Sequence, residues 1–149
     1  MPKAQATVRI GLETYLTHIQ ASNHLLQADE PDDLGGTDTG PTPYELLLSS
    51  LGACTAITLR MYANRKGVPV DGIEIHLSLD EETVDNKPVT TIHCNLKFSG
   101  NIDKAIWERM LEIANRCPIH QLLTHEIRIY SALQTDNGEE NLILKKTEI

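Results

Sequence analysis

The chain has 149 residues, enough for one domain with its own core and no need of a disulfide or metal staple. Its 13 Lys plus Arg stand against 21 Asp plus Glu, and the net charge of −8 repels a phosphate backbone, which sets nucleic acid aside as a partner. A single Trp and a single Phe leave the core to Leu, Ile, Val and Ala.

The opening MPKAQATVRIG lacks the apolar run of about 7 to 15 residues that a signal peptide carries. Apolar residues at 4, 6, 8 and 10 alternate and predict a first strand. TYLTHIQ and HLLQA, separated by Ser22 and Asn23, predict a hairpin. DEPDDLGGTDTGPTP, rich in acids, glycine and proline, reads as an exposed loop leading into a helix.

That helix is bounded at both ends. Thr42 can cap it, Pro43 suits the first helical position, and Glu45 completes a Thr-x-x-Glu capping box. Arg65 and Lys66 complement the carboxyl-end dipole, Gly67 can take a left-handed cap, and Pro69 prevents continuation. Its length is then roughly 35 Å at 1.5 Å per residue. Within it LLLSSLGACTAITL, residues 46 to 59, carries no charge and is shorter than the roughly 18 residues of a membrane helix. No membrane partner is therefore expected, and a soluble cytoplasmic protein is. A helix apolar all round cannot rest on one face of a sheet, so either this chain wraps it alone or a second copy supplies the other wall.

Ile73, Ile75, Leu77 and Leu79 alternate with polar residues in one strand, EETVDNKP makes the turn, and Ile92, Cys94, Leu96 and Phe98 share a face of the next. After a Gly-Asn turn, Asp103 caps a second helix with Ile102 and Trp107 as a hydrophobic staple and apolar positions 106, 110, 113, 114 and 117. Pro118 ends it at Cys117, which caps a short new helix through PIHQLLTH. IRIYSAL forms a last strand before a polar Asp-Asn-Gly-Glu tail. The whole reads as one α+β domain over 1–149, with helices packed on largely antiparallel sheet.

Three cysteines, an odd number in a reducing compartment, have to be judged singly. Cys94 falls on the apolar face of a strand, where cysteine packs as a small hydrophobe. Cys54 shares a helical stripe with Leu47, Ser50, Leu51, Thr58 and Met61, which packing alone explains equally well. Reactivity needs a thiolate, and lowering a thiol pKa by two units takes about 2.7 kcal/mol of preference for the anion. A helix dipole supplies about 0.3–1 kcal/mol and only near the ends, so mid-helix Cys54 requires a nearby cation. Cys117, as the cap of a helix starting at Pro118, has backbone amides directed at its sulfur; it can equally close the apolar stripe before it. Cys117, His120 and His125 permit a zinc reading, but no Cys-x-x-Cys pair supplies the rest of a structural site.

Together, GPTPYELLLSSLGACTAITLRMYANRKG and IANRCPIH resemble the OsmC/Ohr family of osmotically inducible and organic hydroperoxide resistance proteins. The resemblance covers nearly the whole chain in order. It implies an intertwined homodimer in which antiparallel sheets wrap long central helices. It also implies a thiol-dependent redox activity: Cys54 attacks an organic hydroperoxide, Cys117 resolves it as a disulfide, and an external dithiol resets the pair, with no bound cofactor. Two features depart from the peroxidase branches. Tyr44 stands where their glutamate follows the helix-starting proline, with Glu45 one position later, and no arginine occurs in the loop before Gly40, Arg9 being the only one ahead of the long helix. Glu45 and Cys54 lie about 13 Å apart along the helix and on opposite faces, which favours capping for Glu45. The alternative reading is a non-catalytic dimer of the same fold that binds a small hydrophobic molecule at its interface.

Overall fold

A computed structural model describes residues 3–134 and 140–148. Strands β1 (Thr7–Ile10), β2 (Thr17–Ala21) and β3 (His24–Ala28) form an antiparallel sheet in that order, with Ile19 opposite Val8 on one side and Leu26 on the other. Helix α1 (Pro43–Lys66) is followed by a long hairpin of β4 (Gly72–Val84) and β5 (Lys87–Ser99). Helices α2 (Lys104–Ala114) and α3 (Pro118–Leu123) lead to β6 (Arg128–Gln134), which pairs antiparallel with β7 (Glu140–Glu148).

The local signals explain most of these boundaries. Thr42 N–H and Oγ1 both donate to Glu45 Oε2, and Glu45 N–H donates back to Thr42 Oγ1 at 3.3 Å, so the capping box forms as expected. Gly67 ends α1 at φ 64°, and Val68 N–H reaches back to the Ala63 carbonyl at 3.0 Å. The β4–β5 turn is tighter than the sequence suggested. Asp85 and Asn86 both take positive φ, 52° and 61°, which joins the strands with two residues and carries pairing through the stretch read as a connecting turn. Helix α2 ends at Ala114, three residues before the expected Cys117. β7 was not anticipated, and the Asp-Asn-Gly-Glu tail lies outside the described residues.

The chain divides into two compact units. The first holds residues 1–53 and 75–95. In it the start of α1 lies close on β4, where a Cβ on Gly52 would stand 2.8 Å from Leu77 Cδ1. Tyr44 Oη donates to Glu81 Oε1 at 3.4 Å. Cys94 is exposed, which corrects its assignment as a packed residue: the alternation places it on the apolar face, yet it stands open between the half-buried Ile92 and Leu96.

The loop between β3 and α1, expected to be exposed, is built around a buried carboxylate. Asp29 Oδ1 accepts from Glu30 N–H, and Oδ2 accepts from the N–H and hydroxyl of both Thr37 and Thr39, at 2.7 to 3.2 Å. The Thr37 hydroxyl above all, with the remaining donors, holds the Asp29 carboxyl far below the usual carboxylate range despite burial. Gly36 is required beside it, since a Cβ there would fall 1.8 Å from the Glu30 carbonyl oxygen. A depressed folded-state pKa contributes stability that is complete above the unfolded value, about 4, and lost as pH falls through the folded one. Asp29→Asn is therefore expected to lower the melting temperature at pH 7, with the gap from wild type shrinking below about pH 4. Thermal melts of both proteins across that range check it, and a gap independent of pH would contradict it.

The second unit holds residues 54–74 and 96 onward. Its core is Leu59 and Ala63 of α1, Val70, and Met110 and Ala114 of α2, with Ile73, Leu96 and Phe98 of the hairpin packed against it. The spacing 106, 110, 113, 114 read from the sequence is the face that α2 buries or half-buries. Asp103 caps α2 by accepting from Ile106 N–H at 2.9 Å, and Trp107 lies against Phe98 at 6.5 Å between ring centroids.

Along α1 the buried side chains fall at 51, 55, 59 and 63, one narrow stripe. The neighbouring stripe is open: Ile57 is 61% and Met61 68% exposed. By length and composition alone α1 is apolar enough to cross a membrane, so the shortness of its uncharged run does not by itself exclude one. A soluble core helix has the same composition, and Arg60, whose Nη1 donates to the Val70 carbonyl at 2.7 Å, ties the outer half of α1 to the chain that follows it.

Candidate functional site

Cys54 and Cys117 both belong to the second unit. The sequence places Cys54 in the middle of α1, where it is partly buried and its thiol is unbridged. Its carbonyl accepts the Thr58 hydroxyl at 2.8 Å. On a helix Cys54 lies beside Ile57 and Met61 three and seven positions on, so its side chain belongs to the open stripe rather than the buried one.

Cys117 is fully buried. Pro118 forces it out of helical conformation, to φ −64° and ψ 144°, which makes it the cap of α3 as its position before proline predicts. Its sulfur accepts the His120 N–H at 3.2 Å. It accepts a second hydrogen bond, at 3.3 Å, from the hydroxyl of Thr55. Thr55 follows Cys54 on α1 and is itself only 4% exposed. The fold thus brings the sulfur of Cys117 to the turn of α1 that carries Cys54. Thr55, which the sequence reading passed over as part of the apolar run, is the link; a hydroxyl standing four residues from Leu51 and from Leu59 was the available signal.

A reactive thiol in mid-helix would need a cation beside it. Among the described residues the Cys54 side chain makes no hydrogen bond or ion pair. Two arginines of the same unit are occupied: Arg60 by the carbonyls of Val70 and Asp71, and Arg109 by Glu112 and then the Tyr62 hydroxyl, which together raise its pKa above the ordinary arginine value. Arg9 sits exposed on β1 in the other unit, and Glu45 is spent on the cap of α1. Cys117, His120 and His125 do not gather as a metal site; among the described residues no three His, Cys, Asp or Glu side chains do.

A half-exposed thiol on an apolar helix, with a second thiol buried behind the next residue, is an arrangement suited to two-step sulfur oxidation.

Comparison with known proteins agrees with this architecture. Residues 36–131, well over half the chain, match the model of the family described as OsmC-like protein. The crystal structure of an OsmC-like protein from Mycoplasma pneumoniae superposes with a TM-score of 0.70 at 20% identity, covering 82% of this chain and 87% of that one. An organic hydroperoxide resistance protein OsmC from Legionella pneumophila gives 0.64 at 16% identity, covering 83% and 90%. The organic hydroperoxide resistance protein OhrB of Bacillus subtilis gives 0.59 at 20%, covering 82% and 90%. A sequence comparison with curated proteins returned no match. With the matched segment running from the loop before α1 to β6, through both Cys54 and Cys117, the chain belongs to the OsmC-like protein family.

Proposed function

We propose that this protein is a homodimeric, thiol-dependent reductant of organic hydroperoxides, with Cys54 as the attacking thiol and Cys117 as the resolving one. The observation that supports the assignment is the hydrogen bond from the Thr55 hydroxyl to Cys117, which joins a buried sulfur to the residue next to the partly buried Cys54. In the first step the Cys54 thiolate attacks the terminal oxygen of the hydroperoxide. An S–O bond forms, the O–O bond breaks, and the alkoxide leaves as an alcohol after taking a proton. In the second, the Cys117 sulfur attacks the Cys54 sulfenic acid, the S–S bond forms and water departs. A small external dithiol returns two electrons and two protons by exchange through a mixed disulfide.

The dimer belongs to the same reading. The open stripe of α1 that bears Ile57 and Met61 also bears Cys54, so a second copy laid on that stripe closes over the thiol and excludes water from it. On this reading the activating positive charge comes from the partner, and a second copy, not lipid, is the cover.

One equivalent of an organic hydroperoxide such as cumene hydroperoxide, added to the reduced protein, is expected to remove two of the three thiols per chain and to leave a peptide map with Cys54 joined to Cys117. Retention of all three thiols would turn the reading to the second one, a non-catalytic dimer holding a small hydrophobic molecule at the α1 interface. That reading is favoured by Tyr44, which bonds to Glu81 and stands at the position where the peroxidase branches carry their glutamate.

A further inference from the structure

We propose that Thr55 is a positioning residue for the resolving step: its hydroxyl holds the Cys117 sulfur at the turn of α1 that carries Cys54, so that the disulfide closes before the sulfenic acid is lost to further oxidation. The inference rests on the two-thiol reading above and adds a residue to it. It starts from a contrast within one helix. Threonine in a helix commonly returns its hydroxyl to the carbonyl four residues back, as Thr58 does to Cys54 at 2.8 Å. Thr55 does not. Its hydroxyl crosses 62 positions of sequence to Cys117 Sγ at 3.3 Å.

The position itself makes this use informative. Leu51, Thr55, Leu59 and Ala63 form the buried stripe of α1, and three of the four are apolar. A hydroxyl there is unfavourable unless it is hydrogen-bonded, and valine would fill the same volume without that demand. The partner of the Thr55 hydroxyl is the Cys117 sulfur. Cys117 Sγ thereby has donors on two sides, Thr55 from α1 and the His120 N–H from α3, which fix the sulfur between two elements rather than along one.

Resolution is a displacement at sulfur and is sensitive to where the attacking atom sits. While the Cys54 thiolate reduces the organic hydroperoxide to an alcohol, Cys117 takes no part. Once the Cys54 sulfenic acid exists, Cys117 Sγ forms the S–S bond as the S–O bond breaks, the oxygen leaves as water, and a small external dithiol later reduces the disulfide. Loss of the Thr55 hydroxyl should leave the first event untouched and delay the second.

The test is single-turnover oxidation of the reduced homodimer by cumene hydroperoxide. Samples are quenched in dimedone, which captures sulfenic acid, and read by peptide mass spectrometry. In Thr55→Val, dimedone adduct at Cys54 should appear at the wild-type rate while the Cys54–Cys117 disulfide forms about tenfold more slowly, with sulfinic acid accumulating at excess peroxide. Thr55→Ser, which keeps the hydroxyl and loses the methyl, should close within about twofold of wild type. A packing role would reverse that order, because Ser leaves a cavity and Val does not. If Thr55→Val does not fold, Ser against Ala carries the same comparison, since both lack the methyl and only Ser keeps the hydroxyl. Equal closure rates in Val and wild type, or in Ser and Ala, would overturn the proposal. Wild-type protein that gives neither sulfenic acid nor disulfide would remove the two-thiol reading as well, so the two failures read differently.

Discussion

Cys54→Ser is expected to bring turnover of an organic hydroperoxide down to the uncatalysed rate, a loss on the order of a thousandfold or more, as removal of a covalent nucleophile does elsewhere. Cys117→Ser is expected to behave differently. The first oxidation still occurs at Cys54, but with no second thiol at the Thr55 turn the sulfenic acid persists and is driven on to sulfinic acid by excess peroxide. The two variants therefore separate by product and not only by rate. Intact mass after one equivalent of peroxide reads no change for Cys54→Ser and one added oxygen for Cys117→Ser, against the loss of two hydrogens in wild type. Cys94→Ser serves as the control, since the two-thiol reading gives Cys94 no part, and should leave all three readings as in wild type. Equal turnover in Cys54→Ser and wild type would remove Cys54 as the nucleophile whatever the fold.

How much of this could be read without coordinates depends on the range over which the deciding interaction acts. Thr42 and Glu45 cap α1 through bonds that span three residues, and Gly67 ends it through its own φ, so both ends were legible. The cap at Cys117 was legible for the same reason, because Pro118 dictates it. The alternation in β4 and the face of α2 were also legible, since periodicity alone fixes which side is apolar.

What stayed hidden requires knowing which segments meet. Asp29 looks like one more acid in a charged loop, and its burial becomes visible only when Thr37 and Thr39 are seen folded back onto it. Cys94 shows the opposite error: the pattern named its face correctly, but a pattern cannot say whether anything covers that face. The contact that organises the candidate site, Thr55 to Cys117, joins an apolar run to a Cys-Pro turn far along the chain. Local spacing could bring neither residue to the other. The family resemblance supplied the pairing of Cys54 with Cys117 but not the threonine between them.

Ile57→Asp is expected to split the homodimer. The residue is 61% exposed in one protomer and sits on the stripe that includes Cys54 and Met61, with Leu47 further along the helix also uncovered. Burying an aliphatic side chain of this size contributes about 1.5–3 kcal/mol, so the open stripe is a substantial part of any interface that covers it. A carboxylate at its centre reverses the sign, because the effective penalty for an unpaired buried charge is several kcal/mol. A rise in the dimer dissociation constant of at least about a thousandfold follows, each tenfold step corresponding to about 1.4 kcal/mol. Sedimentation equilibrium should find wild type at twice the chain mass and Ile57→Asp at the chain mass. Peroxide turnover should fall with it even though both cysteines remain, because the cation that activates Cys54 is carried by the partner on this reading. Replacement of the exposed Glu82 of β4 by Asp, an equally charged surface change far from that stripe in sequence, should leave the dimer intact. A wild-type protein that sediments as a monomer and still turns over peroxide would remove the partner as the source of the charge, and would leave Cys54 reacting without one.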